Sequence, residues 1–358
     1  MRRANKRVAE QDDDHERHAL KRLVAIALGA AAIELTAAIV SAQLVRNGWM
    51  AAMPPLPDRP VIGFGPVNGP RHDPAFAPDA PPCISAYGDS FTYGAEAPDE
   101  STYPHDLGVS VRCRVANYGA GGYGADQALL LFRAQQSIDR AHVVILGHAS
   151  EDIMRSVSQL ELLLYPTDET VWSFKPRFTL TSGALTRIDP DRSLDDDYFF
   201  RTRPRRRFPY SFAIARWLLT DFDVRARVRG VARYADFYAS DHPSGALPLT
   251  VAILTAFSRE ARAEGREPYV LLIPEAPDLP AFASSGAWID QPLADALTRN
   301  GVRVIHGGPL LARRPDFVDP CAVYTGCHGH FTQRGYAALA DVVRDAVCSS
   351  ASSCVFIK

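Results

Sequence analysis

The sequence has no excess of charge of either sign, since 39 Lys and Arg residues stand against 41 Asp and Glu, for a net charge of −2. This balance gives no overall attraction to nucleic acid, so we expect no nucleic-acid partner. The sequence also lacks internal repeats. Wholesale disorder is excluded because 47% of the residues are hydrophobic and 22% are charged, as in ordinary globular proteins. A length of 358 residues predicts about two structural units.

A basic arm and a long apolar stretch open the chain. Residues 1–22 are rich in Arg and Lys, and residues 23–45 contain Glu34 as their only charged side chain. A helix of that length extends about 34 Å, enough for a hydrocarbon core of about 30 Å. Basic residues before the stretch predict a cytoplasmic N-terminus. We therefore expect a single-pass protein of a bacterial inner membrane, with the remaining chain in the periplasm.

Two other interpretations of this stretch stay open. Val40-Ser41-Ala42 resembles the cleavage site of a signal peptide, although the apolar run exceeds the usual length of about 7–15 residues. A buried soluble helix is disfavoured because the run is apolar on all sides. We interpret Glu34 as a tolerated lone carboxyl, at a cost of about 2–3 kcal/mol in lipid.

Six cysteines are few for a disulfide scaffold, but their number is even. In an oxidising compartment such a set is expected to pair. Cys83 and Cys113 lie on predicted strands and would bridge if those strands are neighbours. Cys321 with Cys327, and Cys348 with Cys354, would close short local loops. Sequence alone allows many other pairings.

Composition divides the rest of the chain into a linker, a domain and a tail. Residues 46–82 are a Pro-rich spacer, with ten prolines between 47 and 82. Predicted strands and helices alternate over residues 83–347, which indicates a parallel sheet with helices on both faces, a three-layer α/β/α fold. The alternation fails over about 156–244, an expected insertion, and residues 348–358 form a tail. The basic run Arg201–Arg207 in the insertion is interpreted as a solvated face, with anionic polysaccharide or lipid headgroups as the alternative partner.

The predicted elements of the domain follow from periodicity. They comprise strands over Cys83–Tyr87, Val111–Tyr118, His142–Leu146, Tyr269–Ile273 and Val302–Ile305, and helices over Asp126–Asp139, Leu249–Glu264, Ile289–Asn300 and Gln333–Val347.

Ser90 is the first candidate for chemistry, in the segment Ile84–Gly94 (ISAYGDSFTYG). It follows a predicted strand, and open α/β sheets bind ligands at the carboxyl ends of their strands. The segment is not a G-x-S-x-G elbow, because position 92 is Thr. Taken alone, it is more typical of an ordinary turn between a strand and a loop.

A glycine loop and a histidine are the next candidates. The loop within Ala116–Gln127 formally fits a dinucleotide fingerprint, but it follows the second strand and lacks the expected acid, so we interpret it as a close-approach loop for a substrate oxygen. His330 precedes a predicted helix that Thr332 would cap. Cysteines and histidines around it fit no common zinc spacing, so no metal is expected.

Together GDSFTYG (88–94), NYGAGGYGADQ (117–127) and GHFTQRGY (329–336) resemble the SGNH/GDSL hydrolase family, over about residues 83–347. The resemblance implies a flavodoxin-like SGNH hydrolase fold without a cofactor. It implies that Ser90 is the nucleophile and His330 the general base, and that the backbone N–H groups of Ser90 and Gly122 form an oxyanion hole.

Two positions depart from the family pattern. Glu151 stands where an Asn would donate to the oxyanion, and a carboxylate only accepts. No Asp lies two or three residues before His330; Cys327 and His328 occupy those positions. Either Glu151 or Asp319 orients the imidazole, or catalysis is about 10²–10⁴-fold weaker.

Other residues are expected to line the cleft. They are Asp89, Asn117, His148, Asp241 and His242, with Glu275 and Asp278 as further candidates at the sheet edge.

Location and resemblance together imply a serine esterase or O-acyltransferase acting on O-acyl esters, most simply O-acetyl esters, of cell-envelope carbohydrate or lipid. The alternative is a weak or inactive relative that binds or helps to assemble an envelope glycan. Sequence predicts neither the acyl group nor the oligomeric state.

Overall fold

The computed structural model describes residues 2–46, 50, 61–62, 69–160, 173–190, 197–202, 204–317 and 319–349. The chain divides into two compact units. The first comprises Met1–Pro55 and Arg203–Arg225, and the second comprises Leu56–Thr202 and Ala226–Lys358. The expected insertion is therefore not one body, because its central part folds with the N-terminal helix.

The second unit is built on a five-stranded parallel sheet in the order β2-β1-β3-β4-β5. Its strands are β1 (Ile84–Gly88), β2 (Val115–Gly119), β3 (Val143–Ala149), β4 (Glu267–Ile273) and β5 (Val304–His306). The chain moves from β1 to β2 on one side and then continues to β3 on the other. The order thus reverses beside β1, and such a switch point leaves a crevice at the carboxyl ends of the strands.

Helices of both units are numbered in chain order. They are α1 (Arg2–Arg46), α2 (Ser90–Tyr93), α3 (Tyr103–Val111), α4 (Ala125–Gln135), α5 (Asp152–Arg155), α6 (Tyr198–Thr202), α7 (Tyr210–Thr220), α8 (Phe222–Arg229), α9 (Ala246–Ala263), α10 (Asp278–Ser285), α11 (Gln291–Arg299), α12 (Gly307–Leu311), α13 (Pro320–Val323) and α14 (Gln333–Cys348).

Helices cover both faces of the sheet, which confirms the predicted three-layer α/β/α fold. Ala86, Ile145 and Leu271 face one side, where α3 and α14 bury Leu107 and Leu339 in the same apolar cluster. On the other face Phe132 of α4 packs edge-on against Tyr87 and against Phe257 of α9. Burying each such side chain contributes about 1.5–3 kcal/mol.

One predicted strand was wrong in its first half. Residues up to Val111 form helix α3, and the strand begins only at Val115. Thr102 caps α3 by accepting the N–H of His105 at 3.3 Å, and Pro104 lies in the first turn, where it needs no hydrogen bond. These start signals outweigh the β-branched residues that follow.

Smaller elements flank the sheet. Residues Arg177–Thr181 and Ala184–Ile188 pair as an antiparallel hairpin, and Val61–Ile62 pairs in parallel with Ser173–Phe174. Part of the expected spacer belongs to the domain, because the backbone N–H of Arg71 donates to the carbonyl of Asn117 at 2.8 Å.

Two of the expected disulfides are formed, Cys83–Cys113 and Cys321–Cys327. The first joins the start of β1 to the turn before its neighbour β2. Cys354, the expected partner of Cys348, lies outside the described residues.

The first unit contains the expected apolar helix. Within α1, Arg17–Arg46 is long and apolar enough to cross a membrane, a property it shares with signal sequences. Helix α7 packs beside the C-terminal end of α1, where Ala213 and Trp217 share a buried cluster with Leu44 and Val45.

Candidate active site

Ser90 begins helix α2, directly after β1, and is 9% exposed. The preceding Asp89 caps the helix, since its carboxylate accepts the N–H groups of Phe91 at 3.0 Å and Thr92 at 3.3 Å. Four residues are enough for this helix because the cap satisfies the first free N–H groups. The turn lifts the Ser90 hydroxyl to the carboxyl end of the sheet.

Three glycines let α2 lie against the strand ends. A Cβ at Gly88 would lie 2.3 Å from Oγ1 of Thr92, and one at Gly147 would lie 2.2 Å from the same atom. A Cβ at Gly119 would lie 2.1 Å from the backbone nitrogen of Tyr93. Gly88 also has a φ of 153°, which non-glycine residues rarely adopt. These glycines end or nearly end three adjacent strands and fix the position of the serine.

His330 lies beside Ser90 in the fold, 240 positions away in the sequence. Its Nε2 is 2.8 Å from Oγ of Ser90, a hydrogen-bond distance. The imidazole ring packs against Phe91, with ring centroids 4.9 Å apart. The structure thus brings together the two residues predicted from the sequence to be nucleophile and base.

Glu96, which was not among the predicted site residues, lies on the other side of the imidazole. Its Oε1 is 3.2 Å from Nδ1 of His330. The hydrogen bond with His330 lowers the pKa of Glu96, and burial opposes this shift. An ionised carboxylate at this place holds the proton on Nδ1 and leaves Nε2 free to accept the proton of Ser90.

The backbone at Glu96 has a φ of 65°, in the left-handed region that costs a non-glycine residue about 1–2 kcal/mol. Neighbouring contacts hold it there. Arg71 donates to the carbonyls of Tyr93 at 2.6 Å, Gly94 at 2.8 Å and Ala97 at 2.8 Å. The hydroxyl of Tyr336 donates to the carbonyl of Ala95 at 3.1 Å. Strained backbone that neighbouring contacts hold in place is typical of functional sites. These contacts therefore indicate that function depends on the position of Glu96.

The loop that carries His330 is fastened at both ends. Before it, the N–H of Thr325 donates to the carbonyl of His330 at 2.8 Å, and the Cys321–Cys327 disulfide closes the preceding turn. After it, Phe331 is fully buried and Thr332 caps α14. A Cβ at Gly329 would lie 3.0 Å from Oε2 of Glu96, so this glycine makes room for the carboxylate.

The glycine loop after β2 lies beside the end of β1, since the N–H of Ala120 donates to the carbonyl of Gly88 at 3.0 Å. Gly122 has a φ of 77°, a conformation that favours glycine. The predicted oxyanion donors, the N–H groups of Ser90 and Gly122, therefore belong to two segments that meet at one edge of the sheet.

Asn117 and His148, which were expected to line the cleft, are both buried. The amide of Asn117 donates to the carbonyl of Tyr93 at 3.1 Å and accepts the N–H of Gly119 at 2.9 Å, which ties β2 to α2. His148 has no hydrogen-bond partner on either ring nitrogen among the described residues, and burial lowers its pKa to about 3. It is therefore neutral at physiological pH.

Neither acid considered for His330 reaches the imidazole; Glu96 takes that place. Glu151 lies 3.3 Å from Nη1 of Arg233, and its backbone N–H donates to Oε1 of Glu275 at 3.0 Å. Asp319 caps α13, accepting the N–H of Cys321 at 2.9 Å. Glu96 was missed because it lies outside the motifs that carry the resemblance. Its one sequence signal is an acidic residue six positions after Ser90.

Asp241 and His242 belong to other surroundings. Nδ1 of His242 is 2.7 Å from Oγ of Ser244, and its ring lies 4.4 Å from that of Phe237. Asp241 lines an open cavity of about 920 Å³ together with Trp288.

Several buried carboxyl groups interact electrostatically, beginning with Asp89 beside Ser90. Burial raises the pKa of Asp89, and the positive charge of Arg155, 3.8 Å away, opposes this. Arg155 also donates to a carboxylate oxygen of Asp152 at 2.7 Å. Burial and the negative charge of Asp89 raise the pKa of Asp152. Burial raises the pKa of Asp278 to about 6 and that of Glu275 well above its usual value.

Among the described residues, no group of three or more His, Cys, Asp or Glu side chains is arranged to hold a metal ion.

No protein-family model matches the chain. No curated protein matches it either. Solved structures do. A member of the lipolytic protein G-D-S-L family from Veillonella parvula is 12% identical, with 73% of this chain and 94% of that chain covered and a TM-score of 0.37. A lipase/acylhydrolase from Enterococcus faecalis is 11% identical, with 74% and 95% covered and a TM-score of 0.39. An alpha/beta hydrolase enzyme from the metagenome of Lake Arreo is 12% identical, with 76% and 96% covered and a TM-score of 0.39.

Proposed function

We propose that the chain is a serine ester hydrolase of SGNH type that uses Ser90, His330 and Glu96. The observation that carries this proposal is the line of hydrogen bonds from Oγ of Ser90 through the imidazole to Glu96, with distances of 2.8 Å and 3.2 Å. Nucleophile, base and orienting acid in this order are what acyl transfer to water requires.

The first half of the reaction acylates the serine. Oγ of Ser90 attacks the ester carbonyl carbon while Nε2 of His330 takes the hydroxyl proton. The carbonyl oxygen becomes an oxyanion, which the N–H groups of Ser90 and Gly122 stabilise. When the intermediate collapses, the ester C–O bond breaks and His330 returns the proton to the leaving alcohol.

Water completes the cycle. His330 takes a proton from a water molecule, the resulting hydroxide attacks the acyl carbon, and Ser90 leaves with the proton on its oxygen. Glu96 stays ionised and stabilises the imidazolium formed in each half. An acceptor alcohol in place of water would make the protein an acyltransferase with the same residues.

The departure at Glu151 is compatible with catalysis. Its carboxylate is paired with Arg233, so a positive charge offsets the repulsion that an unpaired carboxylate would exert on an oxyanion.

The proposed substrates are O-acyl esters, most simply O-acetyl esters, of cell-envelope carbohydrate or lipid. This part rests on the apolar helix Arg17–Arg46, interpreted as an inner-membrane anchor with a cytoplasmic N-terminus and a periplasmic domain.

The test measures kcat/KM of the full chain in detergent for p-nitrophenyl acetate and p-nitrophenyl octanoate, and acetate release from an O-acetylated glycan. Hydrolysis that Ser90→Ala and His330→Ala abolish is the expected result, and acetate preference supports the O-acetyl assignment. A folded protein that hydrolyses none of these esters contradicts the proposal and favours a glycan-binding role.

A further inference from the structure

The insertion returns to the N-terminal helix and packs against only one half of it. Every described side chain of α1 from residue 17 to residue 33 is exposed. The covered stripe begins at Glu34 and includes Ala37 and Ser41, which are buried. Residues 204–220, here termed the re-entrant segment, lie against the C-terminal half of the apolar helix.

Glu34 joins the two chain segments by capping α7. One carboxylate oxygen accepts the N–H of Tyr210 at 2.7 Å, and the other accepts the N–H of Ser211 at 3.3 Å and its hydroxyl. The first N–H groups of a helix have no partner within it, and a negative charge there is favourable. Pro209, the residue before α7, makes no side-chain hydrogen bond to the start of the helix. Glu34 therefore supplies the cap.

Arg206 marks how far the re-entrant segment descends along α1. Its guanidinium donates to Oγ of Ser41 at 3.0 Å and to the carbonyl of Ala38 at 3.3 Å. From Arg206 to Tyr210 the contacts with α1 thus shift from Ala38 and Ser41 to Glu34, a distance of about 6–10 Å along the helix axis.

Helix α7 then returns toward the C-terminal end of α1. Its 11 residues extend about 16 Å, and Ala213 and Trp217 share their buried cluster with Leu44, Val45 and Met50. The re-entrant segment therefore occupies the same depth as residues 34–46.

The outward face of α7, together with the preceding Phe208, is apolar and uncovered. Phe208 is 73% exposed, Phe212 68%, Leu218 51% and Leu219 76%. Helix α7 is apolar on the side toward α1 and also on the side away from it. A helix that faces water is polar on its outer side, so exposure to water does not explain these apolar side chains. The lone charged side chain of α7, Arg216, is long enough to reach an interface.

We propose that α7 and the preceding Phe208 are embedded in the membrane leaflet occupied by residues 34–46, with their outer face in contact with lipid acyl chains. The proposal rests on the membrane anchor assigned above. In hydrocarbon every backbone N–H needs a partner within the protein, and Glu34 provides one for the first two N–H groups of α7, those of Tyr210 and Ser211. Glu34 then serves as the cap of α7 rather than as a tolerated lone carboxyl.

The test places the full chain in phosphatidylcholine vesicles that contain a phosphatidylcholine with a photoactivatable diazirine in its acyl chain. After illumination, peptide mass spectrometry maps the lipid adducts. We expect adducts on Phe212 and Leu219, as on Ile39 of α1. Ile138 of the second unit is the matched control, since it is also 68% exposed, and should carry none.

The labelling pattern distinguishes failure of the proposal from failure of the membrane anchor. Adducts on Ile39 without adducts on Phe212 and Leu219 overturn the proposal, because water or protein then covers that face. Their absence from Ile39 as well overturns the anchor and the proposal together. Reaction of Ser90 with a fluorophosphonate in the same vesicles reports the hydrolase assignment separately.

Variants of Glu34 test the cap. Glu34→Ala should lose the adducts on Phe212 while those on Ile39 stay unchanged. Glu34→Gln keeps an acceptor oxygen and should retain the adducts on Phe212. Unchanged labelling of Phe212 in Glu34→Ala would show that the cap does not hold the segment in the bilayer.

Discussion

Nδ1 of His330 lies 3.2 Å from Oε1 of Glu96, a residue 234 positions earlier in the chain. The imidazole therefore joins the turn after α2 to the loop before α14. This contact supplies the acid that the segment before His330 lacks.

Replacing Glu96 by Gln should lower kcat/KM for p-nitrophenyl acetate by about 10²-fold, mainly through kcat, because Gln cannot stabilise the imidazolium. The melting temperature should change little, since the carboxylate is 44% exposed. Steady-state kinetics of the purified full chain make the measurement.

Glu151→Gln and Asp319→Asn are the matched controls, because these acids contact other groups. A loss in Glu151→Gln as large as in Glu96→Gln would argue against Glu96 as the orienting acid.

Arg71→Lys should reduce kcat and leave KM nearly unchanged. A single ammonium cannot reproduce the contacts of the guanidinium with the carbonyls of Tyr93, Gly94 and Ala97, so Glu96 would lose its fixed position. Combining Arg71→Lys with Glu96→Gln distinguishes this from a general loss of stability. The two effects should be less than additive, and full additivity would mean that Arg71 acts elsewhere.

Gly119→Ala should displace α2 and abolish most esterase activity, because the new methyl group would lie 2.1 Å from the backbone nitrogen of Tyr93. Gly121→Ala in the neighbouring loop is the control, since a Cβ there meets nothing within 4 Å. Activity of both variants is compared at equal folded concentration. Equal activities would contradict the close approach of α2 to β2.

Asp278 should make the second unit less stable as pH rises. Burial raises its pKa to about 6, above its unfolded value of about 3.9, so the folded state binds more protons between these values. Stability from this group is therefore full below pH 4 and falls by about 3 kcal/mol as pH rises through 6.

Thermal unfolding at several pH values tests this effect. Asp278→Asn should flatten the fall in melting temperature between pH 4 and pH 7. An unchanged slope would assign the pH dependence to other buried acids, such as Asp152 and Glu275.

Local patterns predicted the sheet well because its strands are short, apolar and bounded by glycines. The strand before Ser90 and the helix after His330 lie where their hydrophobic periods placed them. The start of α3 was missed because its cap, Thr102, is one residue whose effect exceeds the β-branched pattern after it.

Contacts between distant segments explain the rest. Glu96 contacts His330, and Arg71 contacts the carbonyl of Gly94 two residues before Glu96. Both contacts form only when the sheet brings distant parts of the chain together. Glu34 gained its partners in the same way, from residues 176 and 177 positions later. No local period encodes such pairs.

The most direct test of the account is intact-mass spectrometry of the full chain after treatment with a fluorophosphonate. We expect one adduct on the wild type, none on Ser90→Ala and slower formation on both His330→Ala and Glu96→Gln. A folded wild-type protein that forms no adduct, or an adduct that persists in Ser90→Ala, would contradict the assignment of Ser90 as an activated nucleophile.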